Sequence, residues 1–138
     1  MNELQLKMCD IQGRLFELAT ENKYASKEFI KAFMNSEIAK NIDSSFNHMQ
    51  WAGEEYLFDE LIENNKEIVN AGGKIYKKEV MFWIGYIYRY WNYYSGEKSS
   101  KIYKIADATL MEKNYLMFHS FDPAMAIDNL KEIYEQKH

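Results

Sequence analysis

Apolar residues recur every three or four positions along most of the chain, which is the spacing of one face of an α-helix. The clearest case is the segment from 2 to about 20. Its apolar positions, at spacings of four, three, four and three, are Leu4, Met8, Ile11, Leu15 and Leu18. No segment of convincing length alternates apolar and polar residues as a half-buried strand does. The pattern therefore predicts an all-α protein.

Short polar stretches divide the remaining sequence into further helices, because serine and aspartate side chains accept hydrogen bonds from the free N–H groups of a first helical turn. The predicted N-caps are Ser26, Ser36, Ser99 or Ser100, Asp107 and Asp122. Pro123 supports the start of the last helix, since the N–H that proline lacks is unpaired at that position in any case. We predict about seven or eight helices, packed orthogonally in a single domain of residues 1–138.

The domain is predicted to be organised around its most aromatic segment, Glu79 to Tyr94 (EVMFWIGYIYRYWNYY), which reads as a central helix that ends at Ser95 and Gly96. A helix that is apolar nearly all round is buried in a core or covered by a partner. One apolar face contains Val80, Ile84, Ile87, Trp91 and Tyr94. The stripe with Gly85, Arg89 and Asn92 is less apolar. Interrupted in this way, the segment falls short of the roughly 20 apolar residues of a membrane-spanning helix.

The tyrosines of this helix suggest a binding surface. A buried tyrosine hydroxyl needs a hydrogen-bond partner, so a helix that only fills a core is expected to use leucine and isoleucine. Tyrosine, tryptophan and arginine are enriched at the hot spots of protein interfaces. We therefore interpret Tyr86, Arg89, Tyr90 and Tyr93 as one partly exposed patch that binds a protein partner. On this interpretation Arg89→Glu abolishes a complex and leaves the fold intact; the alternative is that the whole helix is core.

Composition narrows the choice of partner and compartment. The net charge is −4, whereas broad binding to nucleic acid or to an anionic membrane needs a surplus of lysine and arginine. The single cysteine, Cys9, cannot form an internal disulfide, and no signal-peptide pattern opens the sequence, so we expect a cytoplasmic protein. The histidines are far apart and form no metal-binding motif, and we predict neither a metal nor a cofactor.

Residues 26–50 support a different function, DNA binding. Two short helices joined by a tight polar turn are typical of a helix-turn-helix, whose later helix enters the major groove. The candidate recognition segment, Ser44 to Gln50, offers Asn47, His48 and Gln50 to bases but no lysine or arginine to phosphates. A DNA-binding regulator is therefore the alternative function, and two core-packing helices are the structural alternative.

A small enzyme of unspecified reaction is the second alternative. His119 is the histidine that we consider as a general base; otherwise it satisfies carbonyl groups at a helix end. Glu54 and Glu55 are adjacent, so on a helix they point about 100 degrees apart and cannot flank one substrate atom. We expect these two carboxylates to stabilise the first turn of a helix and to neutralise Arg89 across the fold.

Two stretches resemble small uncharacterised bacterial proteins encoded in operons of the toxin–antitoxin type. They are NIDSSFNHMQWAGEEYLFDEL and FWIGYIYRYWNYYSGEKSSKIYKIADATLMEKNYLMFHSFDPAMAIDNLKE, and the similarity spans about Phe29 to Leu130. The resemblance implies an antitoxin-like role, in which a small acidic protein covers the active surface of a toxin. The leading hypothesis is therefore a non-enzymatic interaction module that masks a partner protein. A second copy of the chain is the other partner to test.

Overall fold

The computed structural model describes residues 1–44 and 53–138. These residues form nine α-helices and no β-strand, which confirms the all-α prediction. The helices are α1 (Glu3–Glu21), α2 (Ser26–Met34), α3 (Glu37–Asp43), α4 (Glu54–Asn64), α5 (Glu67–Asn70), α6 (Lys78–Ser95), α7 (Ser99–Ile105), α8 (Ala108–Phe118) and α9 (Pro123–Lys137). Over the described residues, none of them combines the length and the apolar character that a bilayer crossing needs.

Local sequence explains where several helices begin. At α1 the Asn2 side chain accepts a 2.8 Å hydrogen bond from the Gln5 backbone N–H, and the Gln5 side chain accepts one from the Asn2 N–H, which is a reciprocal capping box. Ser36 and Asp107 accept first-turn N–H groups at α3 and α8, and this confirms two predicted N-caps. Pro123 is the first residue of α9 as predicted, although the residue before it makes no side-chain capping bond.

Two predicted serine caps are wrong, because distant parts of the chain recruit the serine side chains. The N-cap of α2 is Ala25. Ser26 Oγ instead accepts a 2.8 Å hydrogen bond from a backbone N–H that lies 50 residues further along the chain. The N-cap of α7 is Lys98, and Ser99 Oγ donates a hydrogen bond to Asp43 at 2.7 Å. Both serines therefore join segments of the tertiary structure.

The core forms around the contact between α1 and α6. One cluster of buried apolar side chains draws on all nine described helices. A Cβ atom at Gly85 would lie 2.6 Å from the Gln12 carbonyl oxygen, and one at Gly13 would lie 2.7 Å from the Phe82 ring. The Gln12 side chain also donates a 3.0 Å hydrogen bond to the Gly85 carbonyl. Gly13 weakens α1 as an isolated helix, but the close packing of the two helices requires it.

The less apolar stripe of α6 faces α1. Gly85, Arg89 and Asn92 are buried, since glycine allows the backbones to approach and the two polar side chains find hydrogen-bond partners. Tyr94, which periodicity places on a buried face, is 47% exposed. Tyr94 therefore lies on the outer side of α6.

Gly96 and Glu97 fix the C-terminal end of α6. Gly96 adopts a left-handed conformation with φ of 78°, which glycine accepts readily, and this confirms the predicted end of the helix. The Glu97 carboxylate accepts hydrogen bonds from Trp91 Nε1 at 2.8 Å and Ser95 Oγ at 2.9 Å, and it pairs with Lys131 Nζ at 2.8 Å. Burial raises the pKa of Glu97, but these partners outweigh burial and hold the pKa below the ordinary value of 4.5.

Candidate functional site

The outer side of α6 presents four aromatic side chains in a row. Phe82, Tyr86, Tyr90 and Tyr94 follow one another at intervals of four residues, so successive rings lie about one helical turn apart. Their ring centroids are separated by 5.9, 6.3 and 6.5 Å in chain order. The first three side chains are half-buried and the last is exposed. We call this row the aromatic ladder.

The tyrosines of the aromatic ladder are neutral hydrogen-bonding groups at physiological pH. Partial burial raises the pKa of Tyr86 and of Tyr90 above the ordinary value of 10.0. The Tyr94 hydroxyl donates a 3.1 Å hydrogen bond to the Asp128 carboxylate, and this bond raises its pKa. Within the described residues the Tyr86 and Tyr90 hydroxyls make no hydrogen bond, so both remain available to a partner.

A groove with a volume of about 590 Å³ opens beside the N-terminal half of the aromatic ladder. It lies between α1, α6, the C-terminal end of α8 and the turn that leads into α9. Its lining residues are Glu17, Glu79, Phe82, Trp83, Tyr86, Ile87, Tyr115, His119, Phe121 and Pro123. Aromatic rings dominate this lining, so we call it the aromatic groove.

Two carboxylates, those of Glu17 and Glu79, lie in the lining of the aromatic groove. Neither forms an ion pair with any described residue. Burial raises the pKa of Glu17, and the nearby ammonium of Lys78 opposes this effect only in part. Lys78 pairs with Glu21 at 2.7 Å. The groove therefore combines aromatic rings with negative charge that the described part of the chain leaves without a contacting cation.

Arg89 is fully buried, and the expectation that it is exposed to a partner is wrong. Its guanidinium donates hydrogen bonds to Gln12 Oε1 at 2.8 Å, Asp43 Oδ1 at 2.7 Å and Asn92 Oδ1 at 3.2 Å. The side chains of Arg89 and Asp43 are 0% and 2% exposed. Asp43 also accepts hydrogen bonds from the Ser99 N–H and hydroxyl. Arg89 is thus the centre of a buried network that joins α1, α3, α6 and α7.

Asp43, rather than Glu54 or Glu55, neutralises Arg89. Glu54 is half-buried elsewhere, with its carboxylate 3.9 Å from the Arg14 guanidinium. In the sequence Asp43 looks like the polar end of a short helix, and nothing in its local pattern distinguishes a buried counterion from a solvated one. The apolar periodicity of the sequence therefore could not predict this buried network.

Tyr93, the fourth predicted patch residue, lines a second cavity instead of the aromatic groove. This cavity has a volume of about 470 Å³ and lies between the start of α1, the end of α3 and the end of α6, with Asp43 and Asn92 in its wall. The structure therefore brings only Tyr86 and Tyr90 together on the ladder. Phe82 and Tyr94 complete that row, and their spacing of four residues was the signal that could have identified them.

Of the two side chains with the most obvious chemical reactivity, His119 makes a local hydrogen bond through one ring nitrogen and Cys9 is buried. His119 Nδ1 lies 2.8 Å from the Tyr115 carbonyl oxygen, and because a carbonyl only accepts, Nδ1 carries the proton. The His119 ring also stacks on Tyr115, with centroids 4.4 Å apart. Burial raises the pKa of the Cys9 thiol to about 12. Across the part of the chain that is described, no three His, Cys, Asp or Glu side chains converge as a metal site would require.

The DNA-binding interpretation rests on a segment that is mostly not described. α2 and α3 are two short helices separated by a tight turn, as the sequence predicts. Their inner residues, including Phe33 and Ile38, join the main core. The candidate recognition segment, Ser44 to Gln50, lies outside the described residues except for Ser44.

In comparisons with known proteins, no protein family, curated protein or solved structure matches this chain. Its function is therefore inferred from its own surface. The most distinctive part of the described surface is the aromatic ladder with the acidic aromatic groove beside it.

Proposed function

We propose that this chain is a non-enzymatic protein-interaction module whose aromatic ladder covers the surface of a partner protein in the cytoplasm. The observation that carries this proposal is the row of four neighbouring aromatic side chains along the central helix, with ring centroids 5.9 to 6.5 Å apart. The module acts by occlusion, which is the antitoxin-like role that the resemblance of the sequence implies.

The chemistry of the aromatic ladder suits a protein partner. Tyrosine rings give a large apolar contact area with few rotatable bonds, so they lose little conformational entropy on binding. Tyr86 already contacts the Phe82 ring at 5.9 Å and stacks on Tyr90 at 6.3 Å, which reduces the cost of ordering both tyrosines further. Their hydroxyls add directional hydrogen bonds at the rim of the contact. Together these features are typical of an interface hot spot.

The ladder is also carried by a well-anchored helix. Arg89 and Asn92, on the face of α6 that meets α1, are held by hydrogen bonds to α1, to α3 and to the connection after α6. Trp91 and Ile84 fill the core behind the ladder. A binding surface built on such an element keeps its geometry better than one built on a loop. Arg89 therefore supports the interaction surface without touching the partner.

The test is coexpression of the tagged chain with the product of the neighbouring gene, followed by copurification and measurement of affinity. We expect a stable complex that Tyr86→Ala combined with Tyr90→Ala weakens about 1,000-fold, since two hot-spot truncations cost roughly 2 kcal/mol each. The matched control is Tyr56→Ala, which removes a tyrosine that is 59% exposed on α4 and away from the ladder.

The two parts of the proposal fail in different ways. If the neighbouring gene product does not copurify, the antitoxin-like role is wrong. If it copurifies but the ladder variant binds as tightly as the Tyr56→Ala control, the binding surface lies elsewhere on the chain. Circular dichroism of each variant separates lost binding from lost folding.

A further inference from the structure

The carboxylates of the aromatic groove have no contacting cation in the described part of the chain. Glu17 is half-buried in its wall, and burial raises the pKa of this carboxyl group. Glu79 is exposed at the same groove. Removing a carboxylate from water without a contacting cation is unfavourable. A cation bound in the groove beside Glu17 would relieve that cost.

The aromatic rings of the groove favour the same kind of group. Phe82, Tyr86, Tyr115 and Phe121 all line it. The face of an aromatic ring attracts a lysine ammonium or an arginine guanidinium. Carboxylates and ring faces in one groove therefore select for cations and against anions, so that the charge and the rings act in the same direction.

The ladder that leads away from the groove defines the shape of the ligand. From Phe82 to Tyr94 the aromatic ladder runs along three helical turns, which is roughly 18 Å. An amphipathic helix laid along such a surface presents side chains at matching intervals of three and four residues. Its apolar residues would meet Tyr90, and its basic residues would enter the groove at the Phe82 end.

We propose that the aromatic groove receives lysine or arginine side chains from a basic amphipathic helix of the partner protein, with Glu17 and Glu79 as their counterions. This inference rests on the proposed function and names the chemistry of the bound segment. A partner that uses a basic surface to bind nucleic acid would be blocked by such a contact, because the groove occupies the same basic side chains.

The experiment measures binding of a fluorescently labelled synthetic helix of leucine and lysine, arranged at helical spacing, by fluorescence anisotropy. The comparison peptide carries glutamate in place of lysine. Glu17→Gln combined with Glu79→Gln removes both groove carboxylates. Glu60→Gln combined with Glu135→Gln is the matched control, since both residues are exposed, line none of the cavities described above and give the same change in net charge.

We expect the leucine–lysine helix to bind and the leucine–glutamate helix not to bind. The groove double variant should lose roughly five-fold in affinity, the effect of two moderately screened charge pairs, while the control double variant stays within about two-fold. The double variant Tyr86→Ala and Tyr90→Ala should weaken binding of the leucine–lysine helix more strongly than either double Glu→Gln variant does. Raising the salt concentration should reduce the difference in affinity between the groove double variant and the control double variant.

Several outcomes would overturn the inference. Equal losses in the groove and control variants would mean that net charge alone attracts the peptide. Equal binding of both peptides, lost in the ladder variant, would leave the proposed function standing and remove the cation preference. Saturation of the groove by spermidine, with the same dependence on Glu17 and Glu79, would assign it to a small cation. Self-association in sedimentation that the ladder variant abolishes would make a second copy of the chain the occupant. Failure of the lysine helix to bind at all would also refute it, whereas the proposed function is decided separately by copurification.

Discussion

Replacing Arg89 with methionine removes the centre of the buried network and keeps a side chain of similar length. Asp43, which is 2% exposed, would then lose its cationic partner and keep only its hydrogen bonds from Ser99. Gln12 Oε1 and Asn92 Oδ1 would lose their donors as well. The variant thus leaves one buried charge and two buried acceptors without Arg89.

The size of the loss follows from these partners. Removing one member of a buried ion pair costs about 3–5 kcal/mol, because the other charge stays buried. Asp43 and Asn92 line a cavity from which water can enter, so the expected loss is ~4 kcal/mol, inside that range. For a chain of this length, that corresponds to a fall in melting temperature of roughly 10–20 °C.

Urea denaturation followed by tryptophan fluorescence and far-UV circular dichroism measures this loss. The matched control is Arg14→Met, since Arg14 is 55% exposed and pairs with Asp10 one helical turn away on α1. An exposed pair of this kind contributes about 0.3–0.5 kcal/mol, so the control should stay close to the unmodified chain. Combining Arg89→Met with Asp43→Asn should cost less than the sum of the single changes, by roughly 2 kcal/mol.

The result distinguishes a structural role for Arg89 from the surface role that the sequence suggested. A surface arginine would lose binding at unchanged stability. If Arg89→Met unfolds within about 1 kcal/mol of the unmodified chain, less than half the lower bound for a buried pair, the reasoning is refuted. Strict additivity with Asp43→Asn would likewise show that the two charges are not coupled.

Two further predictions concern the packing and the pH dependence of α6. Gly85→Ala should destabilise the chain by about 1–2 kcal/mol, because overpacking against the Gln12 carbonyl exceeds the gain in helix propensity. The control is Gly72→Ala, whose new Cβ meets no atom within 4 Å and which should be near neutral in the same urea titration. Equal stabilities of the two variants would contradict the close approach of α1 and α6. Glu97 has a lowered folded pKa, so its stabilising contribution is present above the unfolded value near 4.5 and is lost as pH falls through the folded pKa. The stability difference between the unmodified chain and Glu97→Gln should therefore be full at neutral pH and close below pH 4.5; a difference that stays constant with pH would refute this linkage.

Periodicity predicted the helices well because their apolar positions repeat with the period of the α-helix. Ser36 and Asp107 were identifiable as caps since capping depends on neighbours in sequence. Ser26 and Ser99 were not, since each side chain bonds to a residue 50 or more positions away. Local patterns therefore predict a cap only where no distant group competes for the same side chain.

The candidate site was predictable only in part for the same reason. The richness of α6 in tyrosine pointed to Tyr86 and Tyr90, which do share the ladder. Arg89 was placed on the wrong side because arginine is usually solvated, and its counterion Asp43 lies 46 residues away. Composition could suggest a binding helix, but only tertiary packing decides which side of that helix is free.

The contact between α1 and α6 cannot form until both helices have been synthesised. Gln12 leaves the ribosome 73 residues before Gly85, the group to which its side chain is bonded. At typical translation rates α1 waits roughly 4–15 s for its neighbour to appear. Throughout that interval the apolar face of the nascent helix lacks its native cover, so prematurely terminated chains are expected to aggregate or to be held by chaperones.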